Sequence, residues 1–337
     1  MSAPQPRSQQ QRSPQPRTPQ PRSTQSPTKP AGTLLGTLAV LGAAGLWGTT
    51  GTAATFAPEV GPLAMGAAAL GIGGLLQALI ALPALYRARA ALRANIGTII
   101  TGAIGVFIYP LAFYSSMHLA GVAIGTVVSL GSAPIASGLL ERIIEKQKLS
   151  RWWMLAATLG ITGSTLLCLA KMHNAPSETW PTIFGIVLGL IAGFTYALYS
   201  FSAHNLIGRT DRGTIGRAAG MGAIFGLGGL ALMPVLLATG APLLTNARTL
   251  TVGAYMAIIP MFVGYLLFGY GLTRVTASAA TTLTLAEPAI AAILAVFIVG
   301  ERLAPIGWIG MVAIGAALLV LSLGPATRRP RAKINGS

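Results

Sequence analysis

The sequence predicts an all-α integral membrane protein, with ten transmembrane helices in two inverted five-helix repeats. The first observation is composition: 53% of the 337 residues are hydrophobic and only 9% are charged, whereas soluble domains carry about 25% charged residues. The second is a series of ten apolar runs, each long enough for a helix that crosses a bilayer. The third is a similarity in sequence between the two halves of the chain.

The N-terminal residues 1–32 are predicted to be a disordered, basic, Pro/Gln-rich cytoplasmic tail. The motif PQPR occurs three times there among Gln, Ser and Thr residues, and such sequence cannot bury enough apolar surface to fold. Residues 325–337 are predicted to be a second basic cytoplasmic tail.

Ten apolar windows lie between the tails. They are 33–56, 61–84, 96–117, 119–140, 152–171, 181–203, 216–239, 250–271, 276–299 and 304–324. The windows are apolar on all sides, which favours helices over the alternating strands of a barrel. With the N-terminus in the cytoplasm, only Lys171, Arg248 and Arg302 of the 23 Lys and Arg residues fall on the far side. This asymmetry predicts that both termini are cytoplasmic. We therefore interpret the net charge of +16 as charge that sets the orientation of the helices in the membrane, and not as a nucleic-acid-binding surface.

The two halves of the chain resemble each other. Residues 132–149 align with residues 286–303, so that Pro134 matches Pro288. Because the repeating unit has five spans, the second copy must enter the membrane in the opposite orientation, which is typical of transporters. The predicted five-helix repeats are residues 33–171 and 181–324.

Three segments resemble the ten-span EamA branch of the drug/metabolite transporter superfamily. They are LWGTTGTAATFAP at 46–58, FTYALYSF at 194–201 and, most specifically, TLAEPAIAAILAVFIVGERLAPIGWIGMVAIGAALLVL at 284–320. The resemblance covers roughly residues 33–324. It implies export of small metabolites through a central cavity lined by spans 1–4 and 6–9, with spans 5 and 10 at the periphery. It also points to bacterial exporters of amino acids, including aromatic ones.

Glu287 is the only acidic residue placed deep in a predicted span. Ionisable groups in membranes usually face a cavity and mark a pathway. Three roles are open: the carboxylate binds a substrate ammonium, carries a proton in exchange, or caps backbone N–H groups freed at the adjacent Pro288. The first half has Ala133 at the matching position, so a carboxylate role belongs to one half only.

Pro134 and Pro288 begin the two matching segments and are expected to bend their helices, because proline removes a backbone hydrogen bond. A bent helix near the midplane offers polar backbone to a substrate. The alternative is a static bend that only shapes the packing.

Trp47, Tyr109, Tyr196 and Tyr265 are candidate residues of the cavity wall. Their rings combine an apolar face with a hydrogen-bonding tip, which suits amino acids or planar metabolites. Thr284, just before Glu287, would hydrogen-bond a zwitterion. The alternatives are anchoring at the membrane interface for the aromatic residues and bonding to its own helix for the threonine. Interfacial anchoring is the interpretation for the other tryptophans, Trp152, Trp153, Trp180 and Trp308.

These features predict a secondary exporter in a bacterial inner (plasma) membrane. It would move a small-molecule substrate by alternating access of the inverted repeats, with protons as a candidate coupling ion. We expect no cofactor, metal or enzymatic activity, because the one cysteine (Cys168), the lone deep carboxylate and histidines at span ends form no catalytic set. The alternative is a non-transporting membrane scaffold or partner-binding protein. The sequence leaves the substrate, the energy source and the oligomeric state open.

Overall fold

The computed structural model describes residues 30–170, 179–207, 214–294, 296 and 303–323. Most of the predicted N-terminal tail and the whole C-terminal tail therefore lie outside the described residues. Within them, ten helical segments are long and apolar enough to cross a membrane, which confirms the predicted fold class. In order, spans 1–10 are Gly32–Ala54, Pro62–Arg87, Ile96–Ala120, Ile124–Ile144, Arg151–Leu169, Thr179–Leu206, Arg217–Thr239, Ala247–Leu272, Ala277–Leu294 and Pro305–Leu323.

Four of the spans are not continuous α-helices. Span 1 consists of the helices Pro30–Trp47 and Thr50–Ala54, and spans 2 and 8 contain the π-helical stretches Ala67–Ile72 and Ala257–Val263. Span 9 consists of two helices, which we name 9a (Ala277–Leu283) and 9b (Ala286–Leu294). Breaks and π-helical turns in membrane helices present backbone groups to the bundle interior.

The break in span 9 follows from Pro288. Proline has no N–H to donate to the carbonyl four residues earlier, which is that of Thr284, and its ring crowds that carbonyl. The Thr284 carbonyl instead accepts the N–H of Glu287, at 2.9 Å. The helix therefore ends before residue 284 and restarts at Ala286, and Glu287 lies in the first turn of 9b.

The two ends of the bundle differ in charge. Every described Lys and Arg except Arg248 lies at the end that holds the connections 2–3, 4–5, 6–7 and 8–9. We call this the basic end and the other the opposite end. At the opposite end, Arg248 of span 8 pairs with Glu59 of the 1–2 connection at 3.2 Å. The pKa of Glu59 is lowered, first by its own backbone N–H and then by Asn246 and Arg248.

The spans of the first half (1–5) pack mainly on spans of the second half (6–10). Span 3 packs on span 6, span 1 on span 8, span 2 on span 7 and span 5 on span 10. The contact of spans 2 and 7 depends on small residues: a Cβ added to Gly222 or Gly226 would lie 2.5 Å from Ala81 or Ala78. Such close backbone approach is a common way to join helices in lipid. The inverted orientation of the two halves stays a prediction.

Candidate functional site

A cavity of about 300 Å³ lies between spans 1, 3, 4, 5 and 9, in the half of the bundle nearer the opposite end. Exposed Gly51 and Val122 form part of its rim. Spans 3 and 4 meet at this rim through the single residue Gly121, whose φ of 85° favours glycine. The cavity is therefore open at the opposite end of the bundle.

Glu287 supplies the charged group of the cavity wall. Among the described residues, its carboxylate makes no hydrogen bond and no ion pair, and the neighbouring wall is apolar or weakly polar. A carboxylate in such surroundings needs a proton or a bound cation to balance its charge. It does not cap backbone N–H groups, because no such bond is formed.

Trp47 forms the wall beside Glu287 and is fixed in position by span 8. Its Nε1 donates a hydrogen bond of 2.9 Å to the carbonyl of Pro260, within the π-helical stretch of that span. Its ring centroid lies 4.8 Å from that of Tyr265 and 5.4 Å from that of Phe268. The indole thus separates the cavity from the aromatic residues behind it.

An aromatic cluster begins at Trp47 and fills the space between it and the basic end. Its members are Trp47, Tyr109, Tyr196, Tyr199, Phe225, Tyr265 and Phe268, and the ring centroids of neighbouring members lie 4.5–6.3 Å apart. The hydroxyl of Tyr196 donates to Thr284 Oγ1 at 2.9 Å, and those of Tyr199 and Tyr265 are 2.5 Å apart. Except for Tyr109 and Trp47, these rings are at most 2% exposed. The cluster therefore closes the cavity toward the basic end.

A second, enclosed space of about 20 Å³ lies between Glu287, Trp47, Tyr109 and Tyr265. It is large enough for about one water molecule. Glu287 and Trp47 thus border both spaces.

The structure brings most of the predicted site residues together, although not all at the cavity surface. Trp47, Glu287 and Pro288 line the large cavity, and Tyr109 and Tyr265 line the small one. Tyr196 and Thr284 bond to each other behind the wall. Pro134 is buried in a helix of span 4 that runs unbroken through it, and it lines neither cavity.

Several wall residues were missed by the sequence analysis. Met117, Thr126 and Cys168 line the cavity, and Cys168 belongs to span 5, which the family resemblance placed at the periphery. None of these residue types stands out within an apolar span. Cys168 reaches the cavity because span 5 packs against helix 9b, a contact that the sequence does not show.

Comparison with known proteins agrees with this fold. The model of the EamA-like transporter family matches two segments of the chain, residues 34–169 and 183–323. A solved crystal structure superposes with a TM-score of 0.68 at 19% identity, covering 86% of this chain and 96% of that one, so the two share a fold.

Two relatives are similar in sequence. The uncharacterized transporter YwfM of Bacillus subtilis (strain 168) is 34% identical over 295 residues, which are 87% of this chain and 95% of the relative. An uncharacterized transporter of Archaeoglobus fulgidus is 28% identical over 123 residues, which are 36% of this chain and 41% of that protein. The chain therefore belongs to the EamA-like transporter family and is a multi-pass membrane transporter of the drug/metabolite transporter superfamily.

Proposed function

We propose that the chain is a secondary exporter of small amine-bearing metabolites, amino acids including aromatic ones first among them. It works in a bacterial inner membrane with both termini in the cytoplasm. The cargo binds in the cavity beside Glu287, and the two halves expose that cavity alternately to each side of the membrane. The observation that carries the proposal is a carboxylate with no partner among the described residues, on the wall of a cavity that Trp47 and Phe113 also line.

The chemistry of the wall supports an ammonium as the recognised group. An ionised Glu287 would pair with it, and the adjacent Trp47 offers an aromatic face to the same cation. Most of the remaining wall is apolar, with residues such as Phe113, Met117 and Leu167, and so favours an apolar side chain on the cargo. A cavity of about 300 Å³ is at the small end of the range for ligand sites, about 300–1,000 Å³. It therefore suits one metabolite rather than a larger molecule.

The packing of the two halves supports alternating access. Span 3 packs on span 6, and span 8 packs on span 1. Spans 3 and 8 are the third spans of their halves and spans 6 and 1 are the first, so the two contacts are equivalent, as expected of two related halves around a common axis. The cavity is open at the opposite end and closed by aromatic residues toward the basic end. Because Lys and Arg concentrate on the cytoplasmic side of membrane proteins, this conformation would be open to the outside.

The same carboxylate supports proton exchange as the energy source. When the cargo leaves, the charge of Glu287 loses its partner, and a proton is the natural replacement in an apolar wall. Substrate and proton would then occupy Glu287 in turn.

Flux into proteoliposomes tests this function. We expect saturable transport of one or more amino acids, competed by analogues that keep the ammonium group. The variant Glu287→Gln should reduce that flux at least about tenfold, the loss that corresponds to about 1.4 kcal/mol of binding. Glu59→Gln, which alters an exposed carboxylate outside the cavity, is the matched control and should transport as the wild type does. Absence of saturable flux with every amine-bearing solute, from folded protein, would contradict the proposal.

A further inference from the structure

Glu141 is a second carboxylate within the bundle, near the basic end of span 4. The sequence placed it at a span end, but its helix continues to Ile144 and the residue is only 5% exposed. Both of its oxygens are occupied: Oε1 accepts the backbone N–H of Ser278 at 2.8 Å, and Oε2 accepts the hydroxyl of Ser278 at 2.7 Å. Glu141 belongs to the first half and Ser278 to the second, so the carboxylate joins the halves.

A second contact joins the same two parts of the molecule. Trp153 of span 5 donates from Nε1 to Thr282 Oγ1 at 3.1 Å, one turn along helix 9a from Ser278. The ring of Trp153 also packs on span 4 at Gly138, where an added Cβ would lie 2.5 Å from it. Trp153 is thus a packing residue within the bundle and not the interfacial anchor expected from the sequence. Helix 9a is held against the first half at both of these points.

Helix 9a leads directly to the cargo site. It ends at Leu283, and the break before Ala286 separates it from Glu287 in helix 9b. Thr284, at the break, accepts the hydroxyl of Tyr196 in the aromatic cluster that closes the cavity toward the basic end. A movement of 9a away from span 4 would therefore act on the closed side of the cavity.

We propose that Glu141 is a gating residue of the transport cycle, which closes the basic end by holding helix 9a through Ser278 while the cavity is open at the opposite end. This inference rests on the alternating access proposed above. The chemistry suits a reversible contact. In the closed state Ser278 donates to both carboxylate oxygens, and in the open state water takes its place. The carboxylate therefore has hydrogen-bond donors in both states, and a buried polar group without such partners would be costly. Trp153 supports the closed state from the same side.

Cys168 provides a readout that does not depend on knowing the cargo. It is the one cysteine of the chain and it lines the cavity. The rate of its modification by a membrane-impermeant methanethiosulfonate reagent, applied to either face of oriented vesicles, reports which end is open. For the wild type we expect faster modification from the opposite end.

Glu141→Ala removes both acceptors, so it should lower the rate from the opposite end and raise the rate from the basic end, each by at least about threefold. Glu141→Gln keeps one acceptor oxygen and should lie between Glu141→Ala and the wild type. Glu145→Ala, one turn further along and not bonded to helix 9a, is the matched control and should behave as the wild type does. Cys168→Ser must abolish the signal.

A folded Glu141→Ala protein with the wild-type ratio of the two rates would overturn the gating role. If that variant does not fold, the milder pair Ser278→Ala and Trp153→Phe decides: their combination must shift the ratio in the same direction, and an unchanged ratio refutes the inference. A shift in the ratio with no flux of any amine would sustain the gate and refute the proposed cargo. The two proposals can therefore fail separately.

Discussion

At the scale of single residues, the site is defined by which polar groups have partners and which do not. Two pairs of hydroxyls bond each other near the cavity: Tyr196 with Thr284, and Tyr199 with Tyr265. Glu287 is the charged group of the cavity wall, and its carboxylate has no partner among the described residues. In an apolar environment an unpaired carboxylate is costly. The presence of Glu287 there is best explained by a cargo or a proton that binds to it and neutralises its charge.

The indole of Trp47 gives a prediction about stability. Trp47→Phe removes the hydrogen bond to the Pro260 carbonyl and part of the contact with Tyr265. We expect a loss of about 1 to 2 kcal/mol in the free energy of unfolding, because a buried hydrogen bond and some aromatic contact disappear together. Unfolding of the purified protein in mixed micelles with increasing SDS measures it.

The matched control for Trp47→Phe is Trp308→Phe. Trp308 is 47% exposed on span 10 and makes no hydrogen bond among the described residues. Its replacement should change the free energy of unfolding by less than about 0.5 kcal/mol. An equal loss in the free energy of unfolding for both variants would show that the hydrogen bond to the Pro260 carbonyl does not stabilise the fold.

At the scale of the elements, span 9 combines the features on which the site depends. The single Pro288 explains the break, and the break places Glu287 in the first turn of 9b. Thr284, at the break, bonds to Tyr196 of the aromatic cluster. The sequence predicted a bend here from Glu-Pro alone. It predicted the same bend at Pro134, where the helix of span 4 instead continues without a break. The outcome depends on the neighbouring helices, not on the proline alone.

Pro288→Ala tests whether the break matters for transport. Alanine restores the N–H that can bond to the Thr284 carbonyl, and it favours a continuous helix. We expect unchanged or increased thermal stability together with a reduction of flux by at least about fivefold, because 9a and 9b would move as one helix. Flux and melting temperature are measured on the same preparation.

Pro83→Ala is the matched control, since Pro83 lies exposed in a continuous helix of span 2 away from both cavities. It should leave flux unaltered. If Pro288→Ala and Pro83→Ala transport equally well, the break in span 9 has no part in the cycle.

At the scale of the whole molecule, the sequence was informative about the spans and much less about what they enclose. All ten spans could be found because each is a long apolar run, and the charges between them indicate an end for each connection. The cavity is formed by five spans that are distant in the chain, so Met117, Thr126 and Cys168 carry no local signal. For the same reason the partner of Glu141 was not foreseeable: Ser278 lies 137 residues away.

We propose that the cavity, the broken span and the carboxylates of Glu287 and Glu141 act together: a cargo amine binds beside Glu287, and the basic end opens to release or admit it. Cargo bound there would lie against Cys168, which lines the same cavity. Protection of this cysteine therefore reports occupancy of the proposed site.

The most direct measurement is the rate of Cys168 modification from the opposite end, with and without a transported amino acid. We expect the amino acid to slow modification severalfold in the wild type and to have no effect in Glu287→Gln. A solute that the wild type transports but that leaves the modification rate unchanged would contradict the claim that this cavity is the cargo site.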